Sequence, residues 1–259
     1  MKGVDVDRWR AAQIKEKDFH VGRKIIKSSS RHWFKYIRLL AFYTNIDENS
    51  SILDVGCGPD AMVSYVIKGE RVGLDPLMDA FLRKFKLPKD VHWIKGMGEH
   101  MPLKTGYFDV VLCMNVLDHM LDPSKALNEI SKILKNEGIF LLYVECHSPF
   151  VKYFRKIKET LKVGDIFHPF SFSAEEILKN LSIFNLHLLY IEKEQTKWLI
   201  RLITRLKEKN LKAFISLTVR CILSLVWRQM AHIRTPIDDD GMFIFISRKR
   251  GEGDTLNAN

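Results

Sequence analysis

Through the middle of the chain apolar residues come in short bursts, with helical spacing between them. The run "SSILDV" (50–55) opens the series. "AMVSYVIK" (61–68) then reads as a helix, "RVGLD" (71–75) as a strand and "LMDAFLRKF" (77–85) as a helix. Strand-like "VHWIK" (91–95) and "FDVVLCM" (108–114) follow, then helical "SKALNEISKIL" (124–134) and strand-like "GIFLLYVE" (138–145). Short apolar strands alternating with helices predict a parallel sheet covered on both faces, an α/β fold. Pro123 after Asp122 suits the first turn of the 124–134 helix, and Gly138 suits its exit.

The flanks differ. Residues 5–43 predict helix, with Trp9, Ala12 and Phe19, then Trp33, Ile37 and Leu40, at roughly helical spacing. From 146 to 172 the chain is aromatic and basic without a clean period. Ser173 with Glu176 three residues on forms a capping box for "AEEILKNL". "LHLLYIEKE" (186–194) and "GMFIFISRKR" (241–250) read as strands. The expected organisation is a helical extension over 1–49 and one α/β domain over 50–250. That domain carries insertions at 146–172 and 197–234 and is followed by a disordered tail at 251–259.

Candidate chemistry begins at "SILDVGCGPDAM" (51–62), an apolar strand ending near Asp54 and followed by Gly56, Cys57 and Gly58. Glycine lets the backbone turn sharply and approach a ligand. A helix starting after the loop would offer free N–H groups to an anion. Asp75 ends the next strand, 21 residues after Asp54, where an acidic residue grips ribose hydroxyls. "GCGPDA" formally satisfies G-x-G-x-x-G/A, so a dinucleotide fits, although such turns also occur without any ligand.

The linked order "LDVGCGPD", "GLDP", "IKGMGEHMPLKTGYFDVVLCMNVLDHM" and "DPSKALNEISKILKNEGIFLLYVE" is more specific. Over about residues 50–148 it resembles the class I S-adenosylmethionine-dependent methyltransferases of the type 11 group. The resemblance implies a Rossmann-like seven-stranded sheet, order 3-2-1-4-5-7-6, with the last strand antiparallel and helices on both faces. It implies S-adenosyl-L-methionine as cofactor. Asp54, Gly56, Cys57 and Gly58 would touch its amino-acid end, with Asp75 and Pro76 at the ribose. Met97, Gly98 and Glu99 would stand near the adenine, and Asn115 beside the cofactor. Asp60 stands where the family usually has Gly, its carboxylate either facing the cofactor's ammonium or repelling its carboxylate. Met97 replaces the family's usual acidic residue. By analogy, the N-terminal helices would fold over the cofactor as a lid.

Methyl transfer from a sulfonium is an in-line displacement that rests on positioning and water exclusion. A hydroxyl acceptor would benefit from a base. The candidates are His119 at the start of a helix, Glu145 and His147 after the fifth strand, and His168 in "FHPF"; each also reads as a structural side chain. Tyr153, Phe154, Phe167 and Phe170 are candidates to line the acceptor pocket.

Charge changes the picture in one place. The formal net charge is +10. Residues 197–234 hold nine basic residues against one acidic, Glu208, a local net of +8. Within this stretch Lys212, Ser216, Arg220, Ser224 and Arg228 recur every four residues on an otherwise almost wholly apolar background that includes Trp227. Arg220 in its middle argues against a spanning helix. An interfacial helix on an anionic membrane surface fits best, with packing on the domain or on a twin subunit in a homodimer as the alternative. Few aromatics and a high apolar content disfavour nucleic acid. The charged N-terminus shows no secretory signal, and the scattered Cys57, Cys113, Cys146 and Cys221 fit no zinc or disulfide framework, so no metal is expected and a cytoplasmic location is. The expected acceptor is a hydrophobic or lipid-linked small molecule methylated at the inner membrane face. The alternatives are a soluble metabolite or RNA, or a binding module that keeps the fold without catalysis.

Overall fold

The computed structural model describes residues 5–22, 30–160, 168–194 and 241–251. Helices α1 (Val6–Val21) and α2 (Ser30–Leu40) precede the sheet. Then come β1 (Ser51–Val55), β2 (Glu70–Asp75), α3 (Met78–Lys84), β3 (His92–Lys95), β4 (Phe108–Met114), α4 (Pro123–Ile133) and β5 (Leu134–Cys146). Helices α5 (Pro149–Thr160) and α6 (Ala174–Ile183) lead to β6 (Leu186–Lys193) and β7 (Gly241–Lys249). The sheet order is β3-β2-β1-β4-β5-β7-β6, with β7 antiparallel to both neighbours.

Alternation along the strands divides the core between two faces. Leu53, Val55, Val111, Phe140 and Leu142 pack under α4 and α6 through Leu127, Ile130, Ile177 and Leu181. Ile52, Val110, Leu112, Leu141 and Ile244 pack under α2 through Tyr36 and Leu40. Being buried on both faces is why these strands read as continuous apolar runs. Asp122 caps α4 by accepting from Ser124 N and Lys125 N at 3.1 and 3.0 Å, with Pro123 in the first turn. The Ser173–Glu176 capping box starts α6.

Three sequence readings need correction. The helix expected over 61–68 is only a one-turn 3-10 segment, Met62–Tyr65. The connection from β1 to β2 is short and holds β-branched Val63, Val66 and Ile67, so a packed full helix does not form. Gly138 does not end α4 but lies inside β5; the left-handed residue there is Glu137, at φ +65°. A Cβ on Gly138 would meet Lys135 O at 2.9 Å, so close backbone approach is what requires glycine. His119 ends a 3-10 turn, Leu117–His119, rather than opening a helix. The 197–234 segment lies outside the described residues, as does the tail beyond Gly251.

Candidate active site

The chain runs outward from β1 through β2 to β3, then returns to place β4 on the other side of β1. This reversal opens a crevice beyond the carboxyl ends of β1 and β4, where open α/β sheets bind ligands. The loop after β1 fills its floor. Gly56 and Gly58 are left-handed at φ +63° and +60°, and Gly56 N and Cys57 N both donate to Leu74 O. A Cβ on Gly56 would meet Val116 Cγ2 at 2.3 Å, whereas one on Gly58 would meet nothing within 4 Å. Gly56 serves the packing, and Gly58 leaves room in the cleft.

Two buried carboxylates hold this loop. Asp54 accepts from Val63 N at 3.1 Å. Burial pushes its carboxyl up to about 7, against the N–H groups of Val63 and Met62 and with help from the charge of Asp75. Asp75 accepts from Gly58 N at 2.9 Å and from Leu77 N at 2.8 Å; burial pushes it upward as well. Asp60 turns away from the cleft: Tyr65 OH donates to it at 2.8 Å, and Trp33 Nε1 of α2 at 3.4 Å. Its φ is not positive, so this position needs no glycine.

The cleft is lined by Gly56, Gly58, Asp75, Pro76, Met97, Gly98, Glu99, Asn115 and His119 among the sequence candidates. Asp54, Cys57 and Asp60 support the loop from outside that lining. Glu99 is buried, and its Oε1 accepts from Leu121 N at 2.5 Å and Asp122 N at 3.1 Å. Asn115, left-handed at φ +58°, donates its N–H to Tyr143 O at 2.6 Å. Trp9, Gln13, Glu16 and His20 of α1 form the opposite wall. Trp9 Nε1 donates to His119 O at 3.1 Å, and Glu16 lies 3.3 Å from both His119 Nδ1 and His20 Nε2. Burial would raise the Glu16 carboxyl, but bonding to the two imidazoles brings it down to about 2. The apolar surface comes from Leu77, Phe81, Met97, Val116 and Met120.

The four candidate bases separate. His119 faces the cleft. His168 stands behind it, its Nδ1 2.8 Å from Asp118 Oδ2 and its ring centroid 4.4 Å from that of His119. His147 is buried against Arg155, Nη1 to Nε2 2.7 Å, with Glu145 Oε2 at 3.9 Å. Arg155 Nη2 also donates to His168 O at 3.3 Å, tying the two histidine groups together. Of the aromatic candidates, Tyr153 is 63% exposed and Phe170 packs on the core and stacks with Phe172. The Phe154 side chain and Phe167 lie outside the described residues.

Residues 53–142 match a family described as a methyltransferase domain. Over these residues the chain is similar to the class I S-adenosylmethionine-dependent methyltransferases. An uncharacterized protein of Methanocaldococcus jannaschii is 34% identical over 145 residues, 56% of this chain and 60% of that protein. The sterol 24-C-methyltransferase of Candida albicans is 27% identical over 179 residues, 63% of this chain and 46% of the relative. The chain thus spans about half the length of these relatives. Among solved structures, Haemonchus contortus phosphoethanolamine N-methyltransferase 2 in complex with S-adenosyl-L-methionine superposes with a TM-score of 0.56. That likeness covers 85% of this chain and 53% of the other at 15% identity.

The cleft of this methyltransferase domain fits a cationic ligand. Three carboxylates, Glu16, Asp75 and Glu99, line it, and among the described residues no lysine or arginine does. A sulfonium with an amino group carries net positive charge. A pyrophosphate would want the opposite lining, and the 3-10 turn after the loop gives it no full helix N-terminus. A cover of N-terminal helices is what the resemblance implies, but the α1 residues Gln13, Glu16 and His20 of this wall were missed in sequence, although positions 9, 13, 16 and 20 recur at helical spacing. The apolar stripe of α1 runs through Phe19 instead, and Phe19 is 41% exposed. Asp118, buried between two histidines, was also missed because apolar Val116, Leu117 and Met120 surround it in sequence.

Proposed function

We propose that the chain transfers the methyl group of S-adenosylmethionine to a hydrophobic or lipid-linked small molecule at the cytoplasmic face of a membrane. The acidic cleft, lined by no lysine or arginine among the described residues, is the observation that carries the cofactor half of this reading. The cofactor would bring the methyl group and, as it leaves, neutralise its own sulfonium charge. Asp75 would take the ribose hydroxyls, Met97 and Phe81 would pack on the adenine, and Gly58 would admit the amino-acid end. Helix α1 closes the cleft and excludes water through Trp9 and Glu16. His119 faces the acceptor, while His168, Glu145 and His147 shape the wall behind it.

Strand direction supports the acceptor half. Cys146 at the carboxyl end of β5 pairs with Gly241, the first residue of β7, and Lys193 at the end of β6 pairs with Phe243. The basic, apolar segment between β6 and β7 therefore leaves and rejoins the sheet at its carboxyl edge, the edge of the cleft. The sterol methyltransferase among the relatives has, by its name, a hydrophobic acceptor. No helix among the described residues is long and apolar enough to cross a membrane.

Two measurements test the reading. Calorimetry with S-adenosylmethionine should show binding that Asp75→Ala weakens at least tenfold; an unchanged dissociation constant removes Asp75 from the ribose. Methyl-labelled cofactor should then be incubated with the chain and cellular fractions. Label entering the organic-soluble fraction supports the acceptor class, and label in aqueous metabolites or RNA overturns it.

A further inference from the structure

Asp118 lies in the turn between β4 and α4 and is almost completely buried. Its two oxygens are unequally served. Oδ2 is 2.8 Å from His168 Nδ1, while Oδ1 is buried without a hydrogen-bond partner. A buried carboxylate oxygen left without a donor carries the full desolvation penalty of that group, larger for a charge than for a neutral acceptor. His119 Nε2 stands 3.9 Å from that oxygen, too far to satisfy it. One ligand atom from each of Asp118, His119 and His168 lies within 4.8 Å of the other two.

We infer that Asp118, His119 and His168 form a binding site for a first-row divalent cation of the zinc type. Two imidazoles and one carboxylate are the donor set such an ion takes, with a fourth position left for water or substrate. Tetrahedral bonds of about 2.0–2.1 Å place ligand atoms roughly 3.4 Å apart. His168 Nδ1 lies 2.8 Å from Oδ2 of Asp118 and His119 Nε2 3.9 Å from Oδ1, on either side of that value, so a rotation of the carboxyl that presents Oδ1 to both rings closes the shell. The cation would bond both imidazoles and meet the orphaned carboxylate oxygen. His119 lines the cleft, so the open position faces it. Glu16 of α1, 3.3 Å from His119 Nδ1, would orient that ring from outside the shell. An acceptor oxygen in the open position would be polarised beside the methyl group, which favours a hydroxyl-bearing or chelating acceptor. The site itself stands apart from the methyl-transfer reading and is testable without it.

The full chain is stripped with a chelator, dialysed against Zn2+ alone, passed through a desalting column and assayed for bound metal. A parallel sample receives Co2+, whose visible ligand-field bands report tetrahedral nitrogen and oxygen ligation. One retained equivalent per chain and a tetrahedral cobalt spectrum are expected. Asp118→Asn, nearly isosteric, and His168→Ala should each weaken binding at least tenfold. His100→Ala, whose ring meets Lys125 Nζ instead, should bind as the parent does. Should Asp118→Asn fail to fold by circular dichroism, His168→Ala and His119→Gln decide. Substoichiometric binding by the parent chain, or equal binding by the folded variants, overturns the site and leaves Asp118 as a hydrogen-bond anchor for His168. Cobalt bands of thiolate character overturn it too, by assigning the metal to the cysteines.

Discussion

Asp54 and Asp75 are one residue type in neighbouring strands, and their surroundings give them different work. Asp75 reaches the cleft; Asp54 stays beneath the loop, with Oδ1 unpartnered and its carboxyl pushed up to about 7 by burial. In the unfolded chain that carboxyl loses its proton near the ordinary 3.8. Between the two values the native state holds a proton that the unfolded state has released. The contribution of Asp54 to stability must therefore fall as pH rises from about 4 to about 7 and level off above. Asp54→Asn, which cannot ionise, should flatten that fall by a few kcal/mol in urea titrations at pH 5 and 8. Equal slopes for parent and variant would mean that Asp54 is ionised in the fold. Asp60 illustrates the converse. In sequence it looked like a misplaced cofactor ligand, but it ties α2 to the loop through Trp33 and Tyr65. Asp60→Gly should cost about 1–2 kcal/mol in thermal unfolding and leave cofactor affinity within threefold. A tenfold loss of affinity with unchanged stability would show that Asp60 contacts the ligand.

Elements were legible where one physical rule decided them. The buried strands announced themselves as apolar runs, "FDVVLCM" coinciding with β4 residue for residue. The capping box of α6 and the proline of α4 fixed helix starts through local hydrogen bonds that sequence shows directly. The 61–68 segment was misread because period alone cannot tell a full helix from a single turn when the connection is short. The cleft was half legible: the glycine loop and Asp75 lie within one local motif. The α1 wall and Asp118 depend on contacts as distant as Trp9 to His119, which no local pattern carries. The two loop glycines test how the motif works. Gly56→Ala adds left-handed strain of about 1–2 kcal/mol to overlap with Val116 costing about 1–3 kcal/mol. It should lower the melting temperature strongly. Gly58→Ala carries the strain without the overlap, and its methyl enters the cleft, so it should weaken cofactor binding more than it weakens the fold. The reverse ranking in paired melting and calorimetric measurements would reassign the two roles.

At the scale of the molecule, charge and topology meet at one edge. The +8 of residues 197–234 accounts for most of the chain's +10, and the segment's attachments at Lys193 and Gly241 lie at the carboxyl edge of the sheet. A basic sequence of this kind is drawn to anionic lipid by about 1 kcal/mol for each basic residue near the headgroups, and salt screens the attraction within a Debye length of about 10 Å at 0.1 M. The full chain should therefore co-sediment with anionic vesicles at low salt, bind neutral vesicles far less, and release as salt rises. Replacing 197–234 by a short linker should abolish this binding while leaving calorimetric cofactor affinity unchanged, because every described residue that lines the cleft belongs to the helices, strands and loops outside the segment. Binding that survives the replacement would move the membrane contact elsewhere. No binding by the parent chain would make the apolar faces of the segment a packing or dimer surface, and light scattering of parent and replaced chains would then separate those two roles.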